Sequence, residues 1–330
     1  MSIKKTAIIT GVNGQDGSHL ADFLIKKDYH VVGLKRRTSS ISTDRVDHLH
    51  GNANFTLKYY DLLDPSSAYR LISECNPDEI YNLAAQSHVK VSFDIPEYTI
   101  EGIVMGTSHW LEAIRNTNRK IRFYQASSSE MYGDSICPMG GYTENSVFRP
   151  VSPYACAKLC AHHLVSVYRK SYGIHACSGI LFNHEGPRRG ETFVTRKITI
   201  AAAKIKLGLK KELKLGNLDA YRDWGYSGDY VKAMWMMLQH EVADDFVIST
   251  GKTHTIREFL HEVFDYANLG NYEKFVKIDP SLFRPSEVPY LLGDSSKAKS
   301  ILGWHAEVDM PSLAKMMYDS DFNKVMSKKI

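Results

Sequence analysis

Thr10-Gly11-Val12-Asn13-Gly14-Gln15-Asp16-Gly17 stands between a short apolar run, Thr6–Thr10, and a stretch of helical periodicity, Ser18–Lys27. A strand, a glycine-rich turn and a helix in that order give a glycine spacing its meaning. Glycines let the backbone turn tightly and approach a bulky anion, and the free N–H groups and positive dipole end of the following helix attract negative charge. Gly11, Asn13, Gly14, Gln15, Asp16 and Gly17 are therefore candidate contacts to a pyrophosphate.

Outward from this turn the alternation continues. Candidate strands at Thr6–Thr10, His30–Lys35, Phe55–Tyr59, Glu79–Leu83, Arg122–Ala126 and Ala176–Leu181 are interleaved with candidate helices at Ser18–Lys27, Pro65–Cys75, Val104–Arg115 and Tyr154–Tyr172. Strands separated by helices imply an α/β fold with a doubly wound, Rossmann-type parallel sheet, whose ligands sit beyond the carboxyl ends of the strands. After Phe182 the regularity gives way to loops rich in Arg, Gly and Pro, with helices near Thr195–Lys206 and Asp229–Gln239. The expected division is residues 1–181 as a Rossmann-type cofactor-binding domain and residues 182–330 as a smaller, mainly substrate-binding C-terminal lobe. No linker, repeat or low-complexity segment separates the two, so they should be partly interwoven.

Composition narrows the class. The chain has 330 residues, 43% hydrophobic and 24% charged, as in an ordinary globular protein with a sizeable core. Its net charge of +4 is not gathered into a long basic block, which argues against nucleic acid as a partner. Cys75, Cys137, Cys156, Cys160 and Cys177 show neither a C-x-x-C pair nor zinc spacing, and the histidines form no H-E-x-x-H. Reduced thiols, a cytoplasmic location and no metal are expected. Met1-Ser2-Ile3-Lys4-Lys5 leads into an apolar stretch too short for a signal peptide, and no apolar run of about 18 residues suggests a membrane span. Cys156 and Cys160 read as small thiols packed in the core, and Met234-Trp235-Met236-Met237-Leu238 as a buried helix face.

At the end of the second strand, an NAD enzyme usually places an acidic residue to bind the ribose 2′-hydroxyl. Here Lys35-Arg36-Arg37 occupies that place. A carboxylate would repel a 2′-phosphate and a guanidinium fork binds it, so NADP is the expected cofactor. Asp61 and Leu62 follow the third strand, where an adenine would lie. Leu83, Ala84, Ala85 and Ser87 follow the fourth and are small enough to let the cofactor come close.

Tyr154 and Lys158 are four residues apart, hence on one helix face. An ammonium beside a phenol should lower the phenol's pKa and make it a general base for a sugar hydroxyl. Ser127-Ser128-Ser129-Glu130 follows the fifth strand and points at the same crevice. Ser128 can hold a substrate oxygen beside Tyr154. Glu130 discriminates between reactions: hydride transfer alone needs no carboxylate there, whereas loss of water requires a base for a carbon-bound proton and an acid for the leaving hydroxyl.

Together these residues resemble those of the extended short-chain dehydrogenase/reductases, and more closely those of the GDP-mannose 4,6-dehydratase family. The resemblance rests on Thr10–Ser18, Lys35–Ser40, Arg45-Val46-Asp47-His48, Tyr81–Phe93, Tyr124–Gly133, Ser152–Lys158, Leu181–Ile198, Leu215–Trp224, Phe283–Glu287 and Leu292-Gly293-Asp294. The run from Phe182 to Ile198 is its most family-specific part. The resemblance implies a redox-neutral 4,6-dehydration of a GDP-sugar, with NADP reduced and reoxidised in one turnover and Ser128, Glu130, Tyr154 and Lys158 catalytic. It further implies cofactor contacts from Arg36, Tyr98, Lys158, His184 and Arg189. Substrate contacts would come from Ser87, Asn183, Lys197, Leu215, Gly216, Asn217, Arg222, Arg284 and Glu287. A homodimer or homotetramer is implied as well, with Arg37–Ser40 meeting a neighbouring subunit.

The chain departs from the family pattern in three places. Ser128 replaces a common threonine, Gly186 replaces a usual serine, and the stretch around Asn268–Lys277 is shorter. These leave the sugar open between mannose, a heptose and an N-acetylhexosamine. Two other readings stay open: an NADP-dependent 4-keto reductase or epimerase of a nucleotide sugar, from which Glu130 distinguishes a dehydratase, and a non-catalytic NADP-sensing regulator, against which the Tyr154/Lys158 pair argues.

Overall fold

The computed structural model describes residues 4–117 and 120–327, so Met1-Ser2-Ile3 of the N-terminal leader lies outside the described residues. From the N-terminus, β1 (Thr6–Thr10) leads through the glycine-rich turn to α1 (Gln15–Lys26), β2 (His30–Lys35), β3 (Phe55–Tyr59), α2 (Pro65–Cys75) and β4 (Glu79–Asn82). Next come α3 (Val89–Asp94), α4 (Pro96–Ile100), a π turn (Glu101–Met105) that runs into α5 (Gly106–Asn116), β5 (Arg122–Ser128), α6 (Pro153–Tyr172) and β6 (Ala176–Leu181). The remainder comprises β7 (His184–Glu185), α7 (Val194–Lys206), β8 (Leu213–Leu215), β9 (Tyr221–Arg222), β10 (Gly225–Tyr226), α8 (Ser227–Gln239) and β11 (Asp245–Ile248). It ends with β12 (His254–Thr255), α9 (Ile256–Tyr266), β13 (Val276–Ile278) and α10 (Met310–Ser327).

Seven strands form one sheet in the order β11-β6-β5-β4-β1-β2-β3, and every pairing in it is parallel. The chain builds outward from β1 to β3, then returns across β1 to start the other half at β4. That reversal opens a crevice above the carboxyl ends of β1 and β4. Successive strand residues supply opposite faces. Ile9, Tyr124 and Cys177 pack under Leu20 and Leu24 of α1 and Met234, Met237 and Leu238 of α8. Ile8, Ile80 and Phe123 pack under Leu71 of α2, Trp110 and Leu111 of α5 and Val165 of α6. The doubly wound α/β sheet read from the sequence is thus the observed architecture.

A further core lies beyond the sheet, where Ala202 of α7, Phe259 and Leu260 of α9 and Leu313 and Met317 of α10 meet Leu213 and Leu215 of β8. Burial of each such Leu or Phe stabilises by about 1.5–3 kcal/mol. Across this core, Arg196 of α7 binds Asp321 of α10 through Nε at 2.7 Å and Nη2 at 2.6 Å, and Thr199 donates to the same carboxylate at 2.6 Å.

Several expectations are corrected. The helix after the glycine turn starts at Gln15 rather than Ser18, and the fifth strand runs on to Ser128. β11, a four-residue strand from the second half of the chain, completes the sheet beside β6. Cys156 and Cys160 are not core thiols, because both are exposed. The buried face of α6 is taken by Tyr154, Ala157, Lys158, Ala161, His162 and Val165, and residues two positions beyond a buried one on a helix turn away from it. The α8 reading holds: Met234, Met237 and Leu238 are buried, and Trp235 packs edge-on against Phe23.

Candidate active site

The site begins at the glycine turn. Gly11 has φ +67°, a left-handed conformation that glycine adopts without strain, and a Cβ there would lie 3.1 Å from the Cα of Ala84. At Gly17 a Cβ would lie 2.4 Å from the carbonyl oxygen of Gly11, so only glycine brings α1 this close to the turn. Thr10 locks the facing loop: its hydroxyl donates to Asn82 Oδ1 at 3.0 Å and accepts the N–H groups of Leu83 and Ala84 at 2.9 Å. Gly14, the N-cap of α1, offers no side-chain cap, so the first-turn N–H groups are left for a ligand.

An acidic Asp16 in that first turn would repel a phosphate, yet it is matched. His184 Nε2 lies 2.7 Å from its carboxylate. Burial raises the pKa of Asp16, but His184 and then Arg189 outweigh this and hold it near 2. Burial likewise opposes protonation of His184, whose pKa the Asp16 carboxylate nevertheless raises. Arg189 completes the group, with Nε 3.0 Å from Glu185 and its guanidinium 3.7 Å from the Phe193 ring centre. Of the basic triplet at the end of β2, Arg36 alone lines the cavity, with Nη1 donating to the Tyr98 hydroxyl at 2.5 Å. Lys35 leans over the Tyr59 ring and Arg37 binds the carbonyl of Thr38.

The reacting groups meet where β5 ends under the start of α6. Ser152 caps α6 by accepting the N–H of Ala155 at 3.1 Å, which sets the register of Tyr154 and Lys158. The Ser128 side chain caps the turn Ser129–Tyr132 by accepting the N–H of Glu130 at 3.2 Å, and it lines the cavity together with Tyr154. Glu130 is 7% exposed and faces Arg284 Nη1 at 3.5 Å.

The electrostatics differ from the sequence expectation. Burial pushes Tyr154 up to about 12, against the lowering influence of the nearby Ser128 hydroxyl and with help from the Glu130 charge. The Lys158 ammonium lies 5.8 Å from the phenol ring centre, donates to the carbonyl of Ala126 at 2.7 Å and is itself pushed down to about 8 by burial. Spacing had paired the two residues on one helix face, but burial governs both groups, and Lys158 is not among the residues that lower the phenol's pKa.

Charges of both signs line the far end. Arg222 donates to the carbonyls of Tyr221 and Val288 at 2.8 Å and to Glu287 at 2.7 Å. Arg284 lies 3.4 Å from the same Glu287 carboxylate, so Arg222, Glu287, Arg284 and Glu130 form one chain of ionic contacts. Gln15 Oε1 and Asn183 Oδ1 are buried acceptors without a partner among the described residues, which suits groups that meet a ligand. Among the described residues no three His, Cys, Asp or Glu side chains converge as a metal site.

A single cavity of about 920 Å³ gathers all of this. The Gly11–Gly17 turn, Arg36, Asp61, Leu62, Leu83, Ala84, Ala85, Ser87, Tyr98, His184 and Arg189 line one part. Ser128, Glu130, Tyr154 and Lys158 lie along it with Asn183, Lys197, Leu215, Gly216, Asn217, Arg222, Arg284 and Glu287. His88, Phe193 and Trp224 line it too and were not singled out from the sequence. His88 and Phe193 stand next to Ser87 and within the family-specific run, so proximity was the available signal. Trp224 offered none beyond ending a quoted segment.

The profile of the family described as GDP-mannose 4,6 dehydratase matches residues 8–317. The chain belongs to the GDP-mannose 4,6-dehydratase family. It is 50% identical over 337 aligned positions to GDP-mannose 4,6 dehydratase 1 of Arabidopsis thaliana, covering 99% of this chain and 92% of that protein. In fold it is similar to UDP-glucose 4-epimerase of Thermotoga maritima solved with UDP-glucose, with TM-score 0.85, 24% identity and coverage of 97% and 99% of the two chains. The dTDP-glucose 4,6-dehydratase of Bacillus anthracis in complex with NAD gives TM-score 0.84, 21% identity and 98% coverage of both chains. A Cβ at Gly186 would lie 3.0 Å from Ser227 Oγ and 3.3 Å from the Tyr226 ring, so a side chain there requires these neighbours to give by a few tenths of an ångström.

Proposed function

We propose that the chain converts GDP-mannose, or a GDP-linked heptose or N-acetylhexosamine, to the 4-keto-6-deoxy sugar with NADP bound in the cavity. It is an enzyme of the hydro-lyase class, a nucleotide-sugar 4,6-dehydratase. The observation that carries the reading is the buried carboxylate of Glu130, whose N–H is bound by Ser128, on the cavity wall it shares with Tyr154. A nicotinamide dinucleotide fits the glycine turn, whose cradle a Cβ would fill. Arg36 at the end of β2, with no carboxylate beside it, supports NADP over NAD. Held by the Gly11–Gly17 turn and Arg36, the dinucleotide would supply reversible hydride transfer between C4 and C6 of the sugar.

The chain's own residues handle the protons. Tyr154 in its phenolate form, a minor species at a pKa near 12, takes the proton of the C4 hydroxyl, and Ser128 holds that oxygen in line with it. Lys158, anchored on Ala126, keeps positive charge behind the phenol. The 4-keto group acidifies C5, from which Glu130 removes a proton and passes it to the C6 oxygen, which leaves as water. The proton held by Tyr154 then goes to C5, so atoms and electrons balance with loss of one water. Lys197 and Arg222 provide cations for the two phosphates of the substrate, Arg189 one for the cofactor, and Glu287 a carboxylate for a guanine edge.

We further assign residues 1–181 to the cofactor and residues 182–330 mainly to the substrate, with a cytoplasmic homodimer or homotetramer as the working form. Exposed Ile100, Met105 and Val167 on α4, the π turn and α6 support self-association. Among the described residues no helix is long and apolar enough to cross a membrane.

The deciding experiment incubates purified protein with a panel of GDP-sugars and follows mass. Loss of 18 Da, one water, without net NADP reduction is the expected result. Glu130→Gln should lower kcat about 10²- to 10⁴-fold while GDP-sugar binding persists. Full turnover by this variant contradicts the mechanism and revives the reductase or epimerase reading.

A further inference from the structure

His88 lines the cavity at the start of α3, and its geometry is fixed on every side but one. Its backbone is clamped by the Gln86 amide, which accepts the N–H of His88 and donates to its carbonyl at 3.1 Å. Gln86 is in turn held by a hydrogen bond to Thr99 at 3.2 Å. The imidazole caps α3, Nδ1 accepting the N–H of Val91 at 3.4 Å, and its ring centre lies 5.4 Å from that of Phe193. A neutral imidazole has one acceptor and one donor nitrogen, so with Nδ1 accepting, the proton sits on Nε2. Among the described residues no acceptor meets Nε2.

The surroundings keep the ring neutral. Burial, and then the cations Arg284, Lys197 and Arg189, hold its pKa below the ordinary histidine value. We propose that His88 is a sugar-recognition residue, its Nε2–H donating a hydrogen bond to a hydroxyl of the hexose carried on the nucleoside diphosphate. The cations beside it suit phosphate oxygens, whereas a lone neutral donor among them suits an uncharged hydroxyl. His88 and Arg284 line the same cavity, and Arg284 also reaches Glu130 at 3.5 Å, so the imidazole shares its wall with the reacting groups. This inference rests on the nucleotide-sugar reading of the cavity.

Two substitutions separate the two nitrogens. Asparagine places an oxygen where Nδ1 caps α3 but has nothing at the Nε2 position, and glutamine places a donor near Nε2 but forfeits the cap. For His88→Asn we expect an unchanged Tm, a KM for GDP-mannose raised about threefold to tenfold, as for one neutral hydrogen bond, and an unaltered Kd for GDP. For His88→Gln we expect a lower Tm with KM near wild type. A parallel rise in the Kd for GDP in His88→Asn moves the contact to the diphosphate and overturns the proposal. A rise in KM in both variants leaves the ring as packing only and overturns it too. If the wild type dehydrates no GDP-hexose, the functional reading fails, whereas a working enzyme with an unaffected His88→Asn variant defeats this inference alone.

Discussion

Lys158 is an ammonium group held where water is scarce, 4% exposed and anchored by a single carbonyl. Its folded-state pKa of about 8 lies below the 10.5 of the unfolded chain. Protonating it in the native state therefore costs stability, fully below about pH 8 and not at all above about 10.5. Lys158→Met should abolish turnover yet leave the protein as stable as the wild type or more so at pH 7, by up to about 3 kcal/mol. The gap should close as pH rises from 8 to 10.5, a trend that thermal melts across that range would measure. A variant that melts several degrees below the wild type at pH 7 would count against a strained catalytic ammonium. At this scale the sequence was informative about partners and silent about environment. Tyr154 and Lys158 were paired by spacing alone, but the rise of the phenol to about 12 comes from burial under residues distant in the chain. Likewise Lys35, Arg36 and Arg37 are equivalent as letters, and only the direction of β2 decides that Arg36 faces the cavity.

The junction of β1 and α1 is the element on which the cofactor end depends. A methyl group at Gly17 would sit 2.4 Å from the Gly11 carbonyl oxygen, a backbone atom that cannot rotate away. Gly17→Ala should push α1 off the turn and weaken dinucleotide binding at least tenfold, with a smaller loss of Tm; isothermal titration with NADP checks both the size and the sense. A loss confined to stability would show that the turn does not hold the pyrophosphate. Elements of this kind were legible because their signals are local: apolar runs of five or six residues, glycines at a turn, Pro65 and Pro153 opening helices. β11 was not, because Asp245–Ile248 is four residues long, opens on the second of two adjacent aspartates and becomes a strand only through pairing with β6. α9 and α10 were missed for a related reason, since their apolar faces gain meaning only against each other and α7.

Across the whole molecule, the outer helices are tied to the site through one buried pair. Asp321 on α10 grips Arg196 on α7, and Arg196 Nη1 donates to the carbonyl of Arg189 at 2.6 Å. Asp321→Asn leaves a buried guanidinium uncompensated, which costs about 3–5 kcal/mol. Urea denaturation should register that loss, and NADP affinity should fall with it, because the Arg189 loop loses its brace. Full stability in this variant would mean that the pair contributes nothing net. The break in regular alternation at Phe182 was readable in the sequence. The return of later segments to the sheet was not, because it is carried by pairings such as Val247 with Ile180 between residues far apart in the chain.

The place of β11 also bears on how such enzymes can exchange parts. A chimaera that joined the first half of this chain to the second half of a relative at Leu181 would import not only a new sugar pocket but also a foreign edge strand for the sheet and a foreign α8 for α1 to lie against. Substrate preference in this architecture therefore cannot be inherited as a detachable module. Recombination between relatives would succeed only where the grafted segment brings a matching edge, and stepwise substitution inside the pocket is the freer route to a new sugar.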